Sequence, residues 1–171
     1  SFDGTTFPPS CWSLVNAGSG NNWTRSTSTP YAGAGTMFYG YSSTSAANSW
    51  AFTPGFELQA GHNYTISFYQ KVASAGFPEK LKVTVGADAT VAAQTTILWN
   101  NAGGTGLTNT AYILRTAGYV CLSNDTYYFA FNCYSDADMY NLFVDEVTVV
   151  DAGSSCDFTA SRTAGYTDQN I

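Results

Sequence analysis

The stretch NLFVDEVTVV, residues 141–150, decides the fold, because its β-branched and aromatic residues suit an extended chain. Read as a strand of period two, it places Phe143, Asp145, Val147 and Val149 on one face and Leu142, Val144, Glu146, Thr148 and Val150 on the other. Either face brings a carboxylate with it. An ionised carboxylate in an apolar layer is costly unless it is paired, protonated or bound to a cation. The fold must therefore supply Asp145 with a partner: a cation, backbone N–H groups, or the guanidinium of Arg25 or Arg115.

Outward from this strand the same pattern repeats. TYYFAFNCY (126–134) is apolar on both parities, as a central strand of a sandwich would be, and SND (123–125) is the turn before it. NYTISFYQK (63–71) alternates, with Tyr64, Ile66 and Phe68 on one side. EKLKVTVGA (79–87) directs Leu81, Val83 and Val85 inward and Lys80, Lys82 and Thr84 outward. TTILWN (95–100), the Gly-rich loop NAGGTG (101–106) and NTAYILR (109–115) read as strand, loop, strand. TMFYGY (36–41) and SWAFT (49–53) are shorter strands, and PGFELQAGH (54–62) reads as a turning segment. Short strands at close intervals, with no helical periodicity, predict an all-β sandwich or jelly roll over residues 1–151. Residues 152–171 are small, polar and aperiodic, and read as a linker or the start of a following module.

Composition narrows the function classes. The chain has 171 residues, 44% hydrophobic but only 11% charged, so Ser, Thr, Asn and Gly must build the polar surface, the look of an extracellular β-protein. A net charge of −6 argues against nucleic acid and favours cationic partners, metal ions included. No run of about eighteen apolar residues is present, so no membrane span is expected. Cys11, Cys121, Cys133 and Cys156 show no C-x-x-C spacing; one or two disulfides are compatible with them, and Cys133, in an apolar strand, suits a buried thiol equally well.

Catalytic chemistry is thin. His62, the single histidine, lies in the turn QAGHNYT, so Ser–His–Asp and Cys–His mechanisms have no placed base. Asp145 and Glu146 point to opposite faces of a strand and cannot act as a carboxylate pair, while Asp136 and Asp138 lie in SDADM, read as a solvated loop. GGTG lacks the Lys and helix of a phosphate loop. Trp12, Trp23 and Trp50 sit in or beside strands, as packing residues do. Trp99 at a strand end, and Tyr134 and Tyr140 flanking SDADM, are the candidate ligand platforms, since aromatic faces stack on sugar rings.

Several segments together resemble a known family. SFDGTTFPPSCWSLVN, GNNWTR, NSWAFTPGFELQAGHNYTISFYQ, FPEKLKVTVG and YYFAFNCYSDADMYNLFVDEVTV follow, in order and spacing, the pattern of cleaved-adhesin or choice-of-anchor J modules. These are MAM-like jelly rolls of the galactose-binding type, found in secreted and surface proteins of anaerobic bacteria, including the haemagglutinin/adhesin regions of gingipain proteases. The resemblance implies one structural calcium where the N-terminal segment meets the last strand. Asp3 matches the acidic position after the first Phe, Asp145 the first acid of the last strand, and Asn48 a polar position of the N-[DS]-W stretch. The acidic run that some relatives carry before N-N-W reads NAGSGNNW here (16–23), with no carboxylate for a second calcium.

The resemblance implies a non-catalytic, secreted or cell-surface adhesion module, with a host or matrix glycan or glycoprotein as ligand and neighbouring modules of a longer chain as further partners. A carbohydrate-binding module appended to a secreted hydrolase or protease, or a structural spacer, are the alternatives. NWT at Asn22, NYT at Asn63 and NDT at Asn124 match the N-glycosylation sequon, which carries weight only in a eukaryotic ectodomain.

Overall fold

The strand that begins at Asn141 runs to Ser154 and sits at the centre of one sheet. In this computed structural model, which describes residues 1–101 and 105–154, the strands are β1 Ser13–Asn16, β2 Trp23–Ser26, β3 Thr36–Gly40, β4 Ser49–Phe52, β5 Phe56–Leu58, β6 His62–Val72, β7 Leu81–Gly86, β8 Thr96–Asn100, β9 Ile113–Val120, β10 Asp125–Cys133 and β11 Asn141–Ser154. A short 3₁₀ turn spans Val91–Ala93. The front sheet has the order β1-β4-β10-β7-β8, with β5 also on β10; the back sheet has the order β2-β3-β11-β6-β9. Every pairing between these strands is antiparallel, and the chain crosses repeatedly from one sheet to the other, as a jelly roll does. β11 continues past Asp151 to a pairing of Ser154 with His62. The segment expected as a linker lies, from residue 155 on, outside the described residues.

β11 resolves its own difficulty with a bulge. Asp145 pairs with Tyr69 but Thr148 pairs with Ser67, so one extra residue is inserted, and Glu146 takes a φ of 46°. An extra residue inverts the parity of everything after it. Leu142 and Val144 face the core before the bulge, and Val147 and Val149 pack against it afterwards. The uninterrupted two-residue period expected over 141–150 is therefore corrected. Asp145 lies on the outer face of the back sheet with Phe143, whose ring meets Phe38 at 5.2 Å.

The core lies between the sheets. From β6 it takes Tyr64, Ile66, Phe68, Gln70 and Val72, all buried; the Gln70 amide is satisfied by Asn109 at 3.0 Å. From β10 it takes Phe129, Phe131 and Cys133, and from β7 Leu81, Val83 and Val85. The second apolar parity of β10 is also used: Ala130 joins Trp50 and Phe52 in a small outer cluster covered by Ala89 and Val91. The same cover buries Thr84, expected on an open face, whose hydroxyl donates to Gln94 Oε1 at 2.8 Å. Trp12, Trp23 and Trp50 are packing residues, as expected.

Two further expectations shift. Residues 56–58, read as part of a turning segment, pair with β10, and the strand expected at 109–115 begins at Ile113 and runs to Val120. Cys11, Cys121 and Cys133 are unbridged, with Cys11 exposed and the others buried; Cys156 lies outside the described residues. Burial pushes the Cys133 thiol up to about 12, so it is an inert apolar filler.

Candidate ligand-binding surfaces

Two loop systems gather the polar and aromatic side chains that packing does not consume. The first is the loop between β2 and β3, which folds over the outer face of the back sheet and covers Asp145 completely, at 0% exposure. The Asp145 Oδ2 accepts the backbone N–H of Tyr31 at 2.9 Å and, more weakly, that of Ala32 at 3.5 Å; Oδ1 accepts the N–H of Glu146 at 2.8 Å. Backbone N–H groups, rather than Arg25 or Arg115, are thus its hydrogen-bond partners. The exposed Asp3 carboxylate takes the N–H groups of Ala34 and Gly35, and the Ala34 bond leads in holding its pKa below the usual carboxylate range. Gly33 lies between these two grips at φ 64°, where a side chain would strike the Asp3 carboxylate.

Arg25 completes this arrangement from β2. Its Nε donates to Phe2 O at 2.7 Å, and one terminal nitrogen donates to Asp3 O at 3.1 Å and Ala34 O at 2.9 Å. The Tyr31 ring stacks on Tyr69 with centroids 3.6 Å apart, and Tyr112 donates to Thr29 O at 3.0 Å. Asp3 and Asp145, two of the three expected metal ligands, thus hold one short loop from two sides. Asn48 is elsewhere: its Oδ1 accepts Trp50 Nε1 at 2.8 Å and Asn132 Nδ2 at 3.2 Å, and it shares no hydrogen-bond partner with either aspartate. In charge and donor type the two carboxylates suit calcium, which takes oxygen ligands. The carbonyls of Phe2, Asp3 and Ala34 already accept from Arg25, and among the described residues no group of three or more His, Cys, Asp or Glu side chains could hold a metal.

The second system lies at one end of the sandwich. Because Asn141 pairs with Gly40 and Leu142 with Val72, the ends of β3, β11 and β6 are level, and the residues just beyond them meet. Tyr41, Ser74, Phe77, Asp138, Met139 and Tyr140 line a cleft of about 300 Å³ there. The Tyr140 ring lies 5.6 Å from Tyr41 and 6.1 Å from Phe77, tilted by about 50° to each. All three are exposed, at 39% for Tyr41, 46% for Phe77 and 42% for Tyr140. Three wet rings in one place are unlike the scattered apolar residues of an ordinary surface. Asp138, at φ 59°, donates its N–H to Ser42 O at 2.9 Å and so ties two of the three loops together.

This is a small, open, oxygen-bearing aromatic cleft, able to stack on the C–H face of a sugar ring while Asp138 accepts from its hydroxyls. Tyr140 was legible in the sequence as a candidate. Tyr41, counted as the end of a strand, and Phe77 were not, since only the strand registers bring them together. SDADM is not simply solvated either: Asp136 pairs with Lys80 at 2.7 Å, and Asp138 lines the cleft.

Trp99 and Tyr134 belong to a different region. The Trp99 ring packs edge-to-face on Phe68 at 5.4 Å, with the Arg115 guanidinium 5.7 Å from its centroid. Tyr134 donates to Asn101 at 3.2 Å, and Lys82 lies 5.5 Å from its ring and 5.0 Å from that of Trp50. Trp99 and Asn101 share a shallow cavity of about 260 Å³, and Tyr140 is not part of it. His62 does not stand free in its turn: Nδ1 lies 2.8 Å from Asp151 Oδ2, tying the start of β6 to the end of β11.

No family model matches the chain, and no curated protein matches it. Solved structures do. The K1 cleaved adhesin domain of Lys-gingipain from Porphyromonas gingivalis superposes with a TM-score of 0.65 at 19% identity, over 83% of this chain and 91% of that one. The K3 domain of the same protein gives 0.61 at 20% identity, over 82% and 90%. A carbohydrate-binding module, TmCBM61 in complex with β-1,4-galactotriose, gives 0.58 at 11% identity, over 83% and 89%. The fold is that of the cleaved adhesin domains and of jelly-roll carbohydrate-binding modules. Structures of larger enzymes also contain it, an α-L-arabinofuranosidase among them, where the match covers 23% of that chain.

Proposed function

We propose that this chain is a non-catalytic binding module of a secreted or cell-surface protein, acting in adhesion by holding a glycan of a host or matrix glycoprotein in the cleft of Tyr41, Phe77 and Tyr140. The observation that carries this reading is the convergence of three exposed aromatic rings on one cleft with a carboxylate at its edge. The sandwich is the rigid part and the loops are the variable part, the division of labour by which binding loops work. The adhesin and carbohydrate-binding neighbours support a binding role for this architecture.

The reading includes a structural calcium held by the carboxylates of Asp3 and Asp145, which together bring two negative charges to the 31–35 loop. Calcium would supply positive charge there and tie the N-terminal segment to the last strand, adding its binding free energy to that of folding. Asn48 is left out of this set because it is tied to Trp50 and Asn132 and shares no hydrogen-bond partner with either aspartate.

A glycan array tests the binding role, with wild type, Tyr140→Ala and Tyr140→Phe. An aromatic contact worth roughly 1.4 kcal/mol makes a tenfold difference in affinity. Binding reduced at least about tenfold by Ala and retained by Phe is the expected result. Equal binding by the Ala variant removes the cleft from the reading, and no glycan bound by wild type leaves a protein ligand or a spacer. The galactotriose-bound neighbour favours a second reading, a carbohydrate-binding module appended to a hydrolase, which predicts a preference for polysaccharide oligomers over host glycans on the same array.

A further inference from the structure

Behind the aromatic cleft lies a carboxylate that the reading above does not use. Glu79 is completely buried, at 0% exposure, where the β6–β7 loop returns to the sandwich and pairs with Leu107. Its Oε2 accepts the Ser135 hydroxyl at 2.5 Å, and the backbone N–H of Tyr140 also acts on the carboxylate. Ser135 and Tyr140 are the two ends of the loop that carries Asp138 and forms one wall of the cleft. Ser135 Oγ also accepts the Lys80 N–H at 2.8 Å, and Ser135 O accepts the Ala47 N–H at 2.8 Å, so the loop's first residue is held from several sides. Glu79 Oε1 is buried with no protein hydrogen-bond partner, an uncommon state for a carboxylate oxygen.

The groups around it are neutral on the inner side. Tyr39 presents a buried hydroxyl with no protein partner, and Cys133 a thiol 3.5 Å from Ser135 Oγ; burial pushes each up to about 12. On the outer side Lys80 is engaged with Asp136, and Asp138 stands at the cleft. Among the described residues, no cation is paired with Glu79.

We propose that Glu79 is an acid-side latch for the 135–140 loop: the protonated carboxyl holds the loop closed with Tyr140 in place, and ionisation loosens it, so that the cleft is best formed at mildly acidic pH. The sign follows from linkage. Burial, the leading cause, raises the Glu79 pKa in the closed state despite the Ser135 hydroxyl and the Tyr140 N–H, which lower it. An opened loop lets water reach the carboxylate and returns it towards its ordinary value, so closing takes up a proton. The contribution to closure is complete below the ordinary glutamate value and is lost as pH rises through the raised one. The consequence for ligand capture rests on the aromatic-cleft reading; the latch itself does not.

The test therefore uses no ligand. NMR titration of the whole chain follows the Glu79 side-chain carboxyl carbon, the Ser135 and Tyr140 amides, and the cross-peak between the Tyr41 and Tyr140 rings, in wild type and in Glu79→Gln, whose amide mimics the neutral form. The expected result is one shared midpoint above the ordinary glutamate range for carboxyl and amides, with the ring cross-peak weakening as pH rises. In the Gln variant both amides stay flat at their low-pH positions and the cross-peak persists. The proposal is overturned if the two amides follow a different carboxylate, if they still titrate in the Gln variant, or if the cross-peak strengthens with pH. A merely structural Glu79 gives the shared midpoint with an unchanged ring cross-peak, and that result also overturns the proposal.

Discussion

Replacing Asp145 tests the carboxylate clamp directly. The side chain is fully buried and receives two good backbone hydrogen bonds, from Tyr31 at 2.9 Å and Glu146 at 2.8 Å; the Ala32 contact at 3.5 Å is too long to weigh equally. Asp145→Asn keeps one carbonyl oxygen, so it preserves one of the two bonds and turns an NH₂ against the other donor. A hydrogen bond to a charged group contributes roughly 1.5–3 kcal/mol, and a stranded buried donor costs about 1–3 kcal/mol. The Asn variant is therefore expected to lose about 2–3 kcal/mol and Asp145→Ala about 3–5 kcal/mol. For a domain of this size each 1 kcal/mol lowers Tm by about 2–4 °C. Urea and thermal unfolding, followed by intrinsic fluorescence in EGTA, measure this without metal. An Asn variant within about 0.5 kcal/mol of wild type in EGTA, a surface-like effect, would falsify the clamp. Calcium is then added back. A calcium held by Asp3 and Asp145 stabilises wild type by about 2.7 kcal/mol at one hundred times its Kd and leaves the Asn variant almost unmoved. Equal curves for wild type with and without calcium dismiss the metal and leave the hydrogen bonds as the whole account.

Further perturbations follow from the same geometry. Tyr140→Ala and Phe77→Ala remove exposed rings, so glycan affinity should fall while unfolding free energy stays within about 1 kcal/mol of wild type; a large stability loss would mean that the rings pack the fold rather than serve a ligand. Gly33→Ala introduces a side chain at positive φ beside the Asp3 carboxylate, and should cost about 1–2 kcal/mol, read by the same urea curves; Phe131→Ala, at the centre of the core, should cost about 3–5 kcal/mol. In acid, Asp3 and Asp151 act in the same direction: the backbone N–H of Ala34 lowers the first, and that of Gly153, followed by His62, lowers the second. Their contribution is complete above the ordinary aspartate value and disappears as pH falls through the depressed one, so Asp151→Asn should flatten part of the acid limb of a stability–pH curve.

Much of the fold was legible because burial on one face of a strand writes a two-residue period into the chain. The alternation of Tyr64, Ile66 and Phe68, and of Leu81, Val83 and Val85, located β6 and β7, and the two-sided apolarity of 126–134 marked a central strand. Composition set the all-β class, and Tyr140, Asp3 and Asp145 were nameable from sequence alone. Only the tertiary structure decided the rest, for a single reason: these features depend on what lies across a sheet or beyond a strand end, which no local pattern records. One inserted residue in β11 puts Val147 and Val149 on the side opposite Asp145, and a loop more than a hundred residues away supplies the Tyr31 N–H that Asp145 accepts. Tyr41 and Phe77 joined Tyr140 because β3, β6 and β11 end level with one another. Glu79 shares the inward parity of Leu81 and Val83, but that pattern does not say what meets its carboxylate; the 135–140 loop does, through the Ser135 hydroxyl.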